Sequence, residues 1–194
     1  GYAHIEVAYA ADTVLSANFD TIYHEHFCNY TLTAISNIVK ISNLKISDVE
    51  KIPTQGGSLR ITLRHNKSDI EPTQNVNNLL EEEESMGIND TSYYLKLASN
   101  IDKKVAEIKA NFTNKVINKK TLIIGSPARG VITANVCGFD KLKNAIALDD
   151  TKEKQGLMIP GTSIVIKHPE DINYHEYDVA CLLAWTYKDN LIDR

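Results

Sequence analysis

The stretch TLIIGSPARG, residues 121–130, decides the fold of this chain. Its first four residues are β-branched or apolar throughout, which is typical of a strand buried on both faces of a parallel sheet. The residues that follow predict a tight loop and then a helix over residues 131–137. A second strand is expected over residues 144–148, ending at Asp149. Strand, glycine loop, helix and strand with a terminal acid are the order of a nucleotide-binding βαβ unit, which predicts an α/β domain with a parallel sheet.

The surrounding sequence extends this domain in both directions. Strands are predicted over residues 163–166 and 178–184, and a final helix is expected after Tyr187. Upstream, apolar residues at helical spacing predict a long helix that begins at Asp90 or Thr91 and runs to residue 118. A helix over residues 76–86 carries four consecutive glutamates. We interpret this acidic run as a solvated helix face.

The N-terminal part predicts a small bridge of strands and helices. Helices are expected over residues 10–18 and 31–43, the second with Thr31 or Thr33 as its N-cap. Two antiparallel strands are expected over residues 44–52 and 58–64, joined by a turn that contains Gly56 and Gly57. Residues 4–8 resemble the end of a parallel strand with no neighbour before it. This strand leads us to expect that an upstream domain is missing.

Composition and charge exclude several classes of function. The chain has 194 residues, 43% of them hydrophobic, with a net charge of −4 and a pI of about 5.9. This composition supports one large domain or two small ones. No basic cluster indicates a nucleic acid partner, and no apolar run approaches the roughly 20 residues that a membrane span needs. Because Cys28, Cys137 and Cys181 are far apart in sequence, we expect reduced, buried thiols in a cytoplasmic protein.

The densest chemistry lies in the stretch FDTIYHEHF, residues 19–27. It contains Tyr23, His24, Glu25 and His26 in succession, and a polar group buried without a partner costs about 1–3 kcal/mol. In a strand, Tyr23 and Glu25 would face one side and the histidines the other, whereas in a loop all four can converge. We interpret the cluster as acid–base machinery with a histidine as the base. A metal site on His24 and His26 is the alternative, but no third ligand is evident.

The loop after residue 124 is a second candidate site. A helix that begins near Gly130 would present backbone N–H groups to an anion, and Arg129 would add a fork of donors that suits phosphate. Asp149 stands where a ribose hydroxyl is often held. The glycine spacing is not that of a dinucleotide or triphosphate loop. An ordinary strand-to-helix turn, with Asp149 capping a turn, explains the same residues equally well.

Five segments resemble the C-methyltransferases of nucleotide-deoxysugar biosynthesis, which use S-adenosylmethionine and act on NDP-4-keto sugars. They occur in the same order over nearly the whole chain, and the first and fourth are the most specific. The segments are residues 19–26 (FDTIYHEH), 56–60 (GGSLR), 125–130 (GSPARG), 154–156 with 160–162 (KQG and PGT), and 182–185 (LLAW). The departures from the usual family residues are Ala8, Ser126, Arg129 and residues 131–136.

The resemblance implies a protein of three domains. These are a small zinc-binding N-terminal domain, a methyl-donor-binding Rossmann domain and a Rossmann-like C-terminal domain. Residues 1–30 would be the tail of the donor domain with the active-site segment. Residues 31–194 would bind the sugar nucleotide, with the Rossmann-like part over residues 119–194. S-adenosylmethionine and zinc would be bound mainly by the upstream domains, so this chain is expected to be inactive alone.

The resemblance also assigns roles to single residues. His26 would remove the proton alpha to the ketone, Tyr23 and Glu25 would orient the sugar or support the enolate, and the enolate carbon would take the methyl group. The residues expected to contact the nucleotide sugar are His24, Ser58, Arg60, Gly125, Ser126, Pro127, Arg129, Gly130, Lys154, Gln155, Gly156, Gly161 and Thr162. Two alternatives remain open: a non-catalytic nucleotide-sugar binding or assembly module, and a metal-dependent isomerase that uses His24 and His26.

Overall fold

The computed structural model describes residues 1–192, apart from the side chains of residues 113, 190 and 192. The chain forms two compact units. The first comprises Gly1–Phe19 and His24–Ile101, and the second comprises Asp20–Tyr23 and the residues from Asp102 onward. Each unit has its own sheet and its own hydrophobic core. The assignment of residues 1–30 to the tail of a donor domain stays a prediction.

The first unit is built on a three-stranded antiparallel sheet in the order β1-β3-β2. The central strand, β3, pairs antiparallel with both neighbours, and its pairing with β2 confirms the predicted hairpin. The elements are β1 (Tyr2–Ala8), α1 (Ala10–Leu15), α2 (Leu32–Ile41), β2 (Leu44–Ile52), β3 (Ser58–His65), α3 (Gln74–Met86) and α4 (Thr91–Lys115), whose residues from Asp102 onward belong to the second unit.

Strand β1 has a neighbour, so the prediction of an orphan parallel strand is wrong. It pairs antiparallel with β3 over its whole length, from Tyr2 opposite Arg64 to Ala8 opposite Ser58. Two helices and a strand separate β1 from this partner along the chain. The local sequence does not indicate which distant strand will pair with β1, because the residue pattern of a strand reflects its burial and not the identity of its partner.

The apolar face of α2 explains why this helix forms and where it begins. Leu32, Ile35 and Val39 recur at helical spacing and join the core of the first unit. The side chain of Thr31 accepts a hydrogen bond from the Ala34 N–H, which confirms Thr31 as the N-cap. In the neighbouring helix α3, Glu83 is completely buried. The interpretation of all four glutamates as a solvated face is therefore wrong at Glu83.

The second unit is built on a four-stranded parallel sheet, which confirms the predicted Rossmann-like class. The strand order is β6-β5-β4-β7. The chain moves outward from β4 to β6 and then returns to the other side of β4, which creates a topological switch point between β4 and β7. The elements are β4 (Thr121–Ile124), α5 (Ala128–Cys137), β5 (Ala145–Leu148), β6 (Val165–Lys167), β7 (Val179–Leu182) and α6 (Lys188–Ile192).

The core of the second unit lies between its sheet and helices α4 and α5. Phe112 of α4 stacks on Phe139 with ring centroids 4.7 Å apart. Burial raises the pKa of the Cys137 and Cys181 thiols. Cys28, in the first unit, is exposed, which corrects the prediction that all three cysteines are buried. Within residues 1–192, no helix combines the length and the apolar character that crossing a membrane requires.

Candidate functional site

The loops that follow β4 and β7 meet at the carboxyl edge of the parallel sheet. Gly125 directly follows β4 and has a φ of +77°, and a Cβ at this position would lie 2.5 Å from the Cβ of Ala184. A Cβ at Gly130 would lie 2.9 Å from the Cβ of Leu183. Glycine is therefore required for this close approach. In open α/β sheets, ligands bind outside the carboxyl ends of the strands at the switch point, so the fold indicates a site here.

Asp20 connects the start of α5 to the loop after β7 through a buried cluster. Its Oδ1 accepts a hydrogen bond from Nη2 of Arg129 at 2.8 Å, and its Oδ2 accepts one from Nε1 of Trp185 at 2.7 Å. The guanidinium of Arg129 lies over the Trp185 ring, 4.7 Å from the ring centroid. Only 7% of the Asp20 side chain and 6% of the Arg129 side chain are exposed. Three of the five segments that carry the resemblance thus converge on one cluster.

This cluster changes the interpretation of Arg129. The sequence predicts a fork of donors aimed at phosphate, whereas the structure places the guanidinium in the interior against Asp20 and Trp185. A substrate phosphate would have to compete with a buried carboxylate for the same donors. A phosphate contact by Arg129 stays a prediction. The sequence did not reveal this pairing because the two residues are 109 positions apart.

Asp149 organises a second polar cluster at the same edge of the sheet. Its Oδ2 accepts hydrogen bonds from the Ser126 N–H at 2.9 Å, the Ser126 hydroxyl at 2.8 Å and Nζ of Lys154 at 3.0 Å. Its Oδ1 accepts one from the Thr151 N–H at 3.0 Å. Partial burial would raise the pKa of Asp149, but hydrogen bonds from Thr151, Lys154 and Ser126 outweigh it and hold the pKa well below its usual range. Both oxygens are taken by the chain itself, which favours the turn-capping interpretation.

The predicted substrate-binding residues between positions 154 and 162 lie in two different regions of the second unit. Lys154 also donates to the Ser126 carbonyl at 3.2 Å, and Nε2 of Gln155 donates to the Asp149 carbonyl at 3.3 Å, so both reach the carboxyl edge. Gly161 instead lies against the side chain of Asn135, in the last turns of α5. The Thr162 hydroxyl donates to the Ile159 carbonyl at 2.9 Å within its own turn.

Gly156 follows Gln155 in sequence and has a φ of +82°, and its N–H donates to the Ile166 carbonyl at 2.9 Å. The predicted substrate-binding residues that the structure brings to the carboxyl edge are Gly125, Ser126, Pro127, Arg129, Gly130, Lys154 and Gln155. Substrate contacts of Gly156, Gly161 and Thr162 stay predictions.

Ser58 and Arg60 lie in the first unit and have local partners. The Ser58 hydroxyl donates to the Thr54 carbonyl at 3.0 Å, inside the turn that joins β2 to β3. Arg60 lies 3.5 Å from Glu6 and 3.6 Å from Glu50, the residues opposite it in β1 and β2. These contacts support the hairpin and the sheet. A substrate role for Ser58 or Arg60 stays a prediction.

The segment from Tyr23 to His26 forms a loop and not a strand. A short 3₁₀ turn, Phe19–Thr21, precedes it, and residues 22–29 form neither helix nor strand. Tyr23 and His26 are half-buried, and His24 and Glu25 are exposed. Regular backbone hydrogen bonding resumes at Tyr30, whose N–H donates to the Ala8 carbonyl at 3.0 Å. Of the two alternatives for this stretch, the loop is correct, and its catalytic roles stay predictions.

The described residues do not assemble a metal centre, and Asp149 bears on the question of a methyl donor. Among residues 1–192, no group of three His, Cys, Asp or Glu side chains is arranged to hold a metal ion. In dinucleotide-binding Rossmann folds, a carboxylate near the end of the second strand binds the ribose hydroxyls. Asp149 stands at that position with both oxygens already bonded. Binding of S-adenosylmethionine by another part of the protein stays a prediction.

Asp20 and Trp185 are the residues whose role the sequence analysis missed. Both lie in segments that carry the family resemblance, which gives neither of them a role. A signal was available for Trp185, because the single tryptophan of the chain directly follows a predicted buried strand, at the edge where α/β sheets bind ligands. For Asp20 the sequence offered no comparable signal, since its partners Arg129 and Trp185 lie 109 and 165 positions away.

Comparison with known proteins gives the family. A sequence model of the C-methyltransferase C-terminal domain matches residues 53–194, well over half of the chain. The chain belongs to this family. The C-methyltransferase NovU of Streptomyces niveus is 31% identical over 194 residues, which is all of this chain and 46% of NovU. This C-methyltransferase domain therefore spans about half the length of that relative, and its resemblance to the C-methyltransferases is confirmed.

Proposed function

We propose that this chain is the substrate-binding and base-donating part of a C-methyltransferase that acts on an NDP-4-keto-deoxysugar. Membership of the C-methyltransferase C-terminal domain family supports the reaction class. The observation that carries the proposal is the hydrogen bonding of Asp20, three residues before Tyr23, to Arg129 and Trp185 at the switch point of the parallel sheet. In this reaction a base removes the proton alpha to the ketone, and the resulting enolate carbon accepts a methyl group.

His26 is the proposed base, and Tyr23 and Glu25 are its proposed partners. An imidazole suits this step because it accepts protons near neutral pH. The alpha proton of a ketone is weakly acidic, so a donor aimed at the developing enolate oxygen is also needed. The phenol of Tyr23 can supply that donor, and Glu25 and His24, in the same loop, can orient the sugar hydroxyls.

The diphosphate of the substrate is proposed to lie at the start of α5. Pro127 precedes this helix and offers no side-chain hydrogen bond to its first N–H groups. Such N–H groups, together with the positive end of the helix dipole, favour an anion. Gly125 and Gly130 permit close approach because neither carries a side chain.

The methyl group in this chemistry comes from S-adenosylmethionine. Both Asp149 oxygens already accept hydrogen bonds within the chain, so we assign the binding of that donor to a part of the protein outside residues 1–194. We assign the predicted zinc to the same part. The length of NovU, of which this chain matches 46%, supports this assignment.

A His26→Gln variant of the polypeptide encoded by the whole gene tests the proposal. Two readouts are needed: methyl transfer from S-adenosylmethionine to an NDP-4-keto sugar, and exchange of the alpha proton with deuterium in heavy water. Both should fall by about 10²- to 10⁴-fold, the usual contribution of a general base, while nucleotide-sugar affinity stays within about threefold. His175→Gln, at an exposed histidine, is the matched control. Undiminished methyl transfer by His26→Gln would refute the role of His26.

A non-catalytic nucleotide-sugar binding or assembly module is the second candidate. The closed cluster of Ser126, Asp149 and Lys154 favours it, since these groups already satisfy one another. Calorimetric titration of the chain with dTDP, UDP and GDP, and separately with S-adenosylmethionine, separates the two candidates when combined with proton exchange. Nucleotide binding without exchange in the whole protein would support the module, and exchange that depends on His26 would support the enzyme.

A further inference from the structure

We propose that Asp20 is a positioning residue, whose buried carboxylate holds the segment that leads into Tyr23 at the carboxyl edge of the parallel sheet. The inference rests on the proposed function and adds a residue that acts through its neighbours in the chain. Asp20 lies three positions before Tyr23. Its partners come from two elements that flank the switch point, α5 and the loop after β7.

The burial pattern shows how short the connection is. Asp20 and Thr21 are 5% and 4% exposed, and the next residue, Ile22, is 54% exposed. The chain therefore leaves the interior within a single residue and reaches Tyr23 one residue later. Only Thr21 and Ile22 separate Asp20 from Tyr23, so few backbone dihedral angles are free to absorb a displacement of Asp20.

The chemistry of the cluster favours orientation over simple packing. A buried ion pair adds little net stability, because the attraction between the charges does little more than offset the cost of desolvating them. Apolar residues of similar volume often give the folded protein equal stability. What the pair does provide is a fixed orientation of the Asp20 carboxylate. Nη2 of Arg129 approaches Oδ1 at 2.8 Å, and Nε1 of Trp185 approaches Oδ2 at 2.7 Å. Two donors on different oxygens fix the plane of the carboxylate as well as its place.

The donors are themselves held in place. The Arg129 guanidinium lies 4.7 Å from the centroid of the Trp185 ring, so each donor limits the movement of the other. Arg129 is the second residue of α5. Asp20 thereby fixes the residues that lead into Tyr23 relative to the start of α5, where the substrate diphosphate is proposed to lie. Misplacing a reacting group by about 1 Å can lower a rate by about 100-fold, so loss of this fixed position should reduce kcat and not substrate binding.

Two variants of the polypeptide encoded by the whole gene test the inference, Asp20→Asn and the double variant Asp20→Leu with Arg129→Met. Asp20→Asn keeps the shape but loses the charge and one acceptor, and it should lower kcat by about 30-fold or more, with KM for the nucleotide sugar within about threefold. The double variant removes both charges together. Its Tm should return to within about 3 °C of the wild type, while kcat stays at least about tenfold low. Asp171→Asn, at an exposed aspartate, should behave like the wild type.

Recovery of both Tm and kcat in the double variant would overturn the inference, because apolar packing would then suffice. A loss of kcat in Asp20→Asn that only follows the loss of folded protein would overturn it as well. If the wild type transfers no methyl group, the proposed function fails, and hydrogen exchange then decides the inference. The peptide of residues 19–23 should exchange faster in Asp20→Asn while β4 and β5 keep their protection, and equal exchange in that peptide would refute the positioning role.

Discussion

Asp149 illustrates at the scale of one residue why a carboxylate near a phosphate-type loop is ambiguous in sequence. A ribose ligand and a turn cap need the same residue at the same strand end. The difference lies in where the donors of Ser126 and Lys154 point, and both point to Asp149. Ser126 precedes Asp149 by 23 positions, and the approach of its hydroxyl to 2.8 Å depends on the parallel pairing of β4 with β5.

Asp149→Asn should lower the free energy of unfolding by about 1–3 kcal/mol at pH 7, because a charged acceptor of several hydrogen bonds is lost. The pKa of Asp149 is held below its ordinary value of 3.8. A depressed pKa in the folded state stabilises the protein above the unfolded pKa and ceases to do so as pH falls through the folded pKa. The difference between wild type and variant should therefore be complete above about pH 5 and shrink from pH 5 to pH 3.

Urea unfolding of both proteins across this pH range checks the prediction. Asp140→Asn, at an exposed aspartate, serves as the control and should show little loss at any pH. A destabilisation by Asp149→Asn that stays constant down to pH 3 would contradict the link between the depressed pKa of Asp149 and the free energy of unfolding.

At the scale of elements, Glu83 joins α3 to the start of α2. Its carboxylate accepts hydrogen bonds from the Leu32 N–H at 2.6 Å, the Thr33 N–H at 2.8 Å and the Thr33 hydroxyl at 2.6 Å. The first N–H groups of a helix have no partner within the helix, and a negative charge there is favourable. Burial, followed by the charge of Glu83, raises the pKa of the neighbouring Tyr9 phenol. One member of an acidic run is thus a helix cap supplied by another helix.

Glu83→Gln should destabilise the first unit by about 2–3 kcal/mol, because two backbone donors and a hydroxyl lose a charged acceptor in the interior. Glu84→Gln provides a control in the same run, since Glu84 is exposed, and it should change stability by less than about 0.5 kcal/mol. Chemical denaturation monitored by circular dichroism measures both variants. Similar losses in the two would mean that the cap contributes nothing.

Gly125 and Gly156 allow backbone strain and steric crowding to be separated. Both adopt a positive φ, of +77° and +82° respectively. A Cβ at Gly156 would meet nothing within 4 Å, whereas one at Gly125 would lie 2.5 Å from the Cβ of Ala184. Gly156→Ala should therefore cost about 1–2 kcal/mol from the left-handed backbone alone. Gly125→Ala should cost about 1–3 kcal/mol more, because the loops after β4 and β7 must separate.

Thermal unfolding of the two alanine variants measures this difference directly. Equal costs would show that the loop after β7 yields to the extra methyl group without strain. A larger cost at Gly125, accompanied by a change in Trp185 fluorescence, would place the strain at the carboxyl edge of the parallel sheet.

At the scale of the whole molecule, the chain is two units with different sheets and separate cores. The parallel sheet follows from strands that alternate with connections long enough to cross over, so its class was predictable from the order of the elements. The three-stranded sheet was only partly predictable. The β2–β3 hairpin is local, whereas β1 joins it from far along the chain.

The sequence by itself determined the places of β2 and β3, the parallel sheet and the family, because periodicity, turn residues and motif order are local properties. The tertiary structure alone decided the partner of β1, the burial of Glu83 and the cluster of Asp20, Arg129 and Trp185. These features join residues up to 165 positions apart. A local pattern can specify that a carboxylate needs partners, but only the packed chain determines which distant donors reach it.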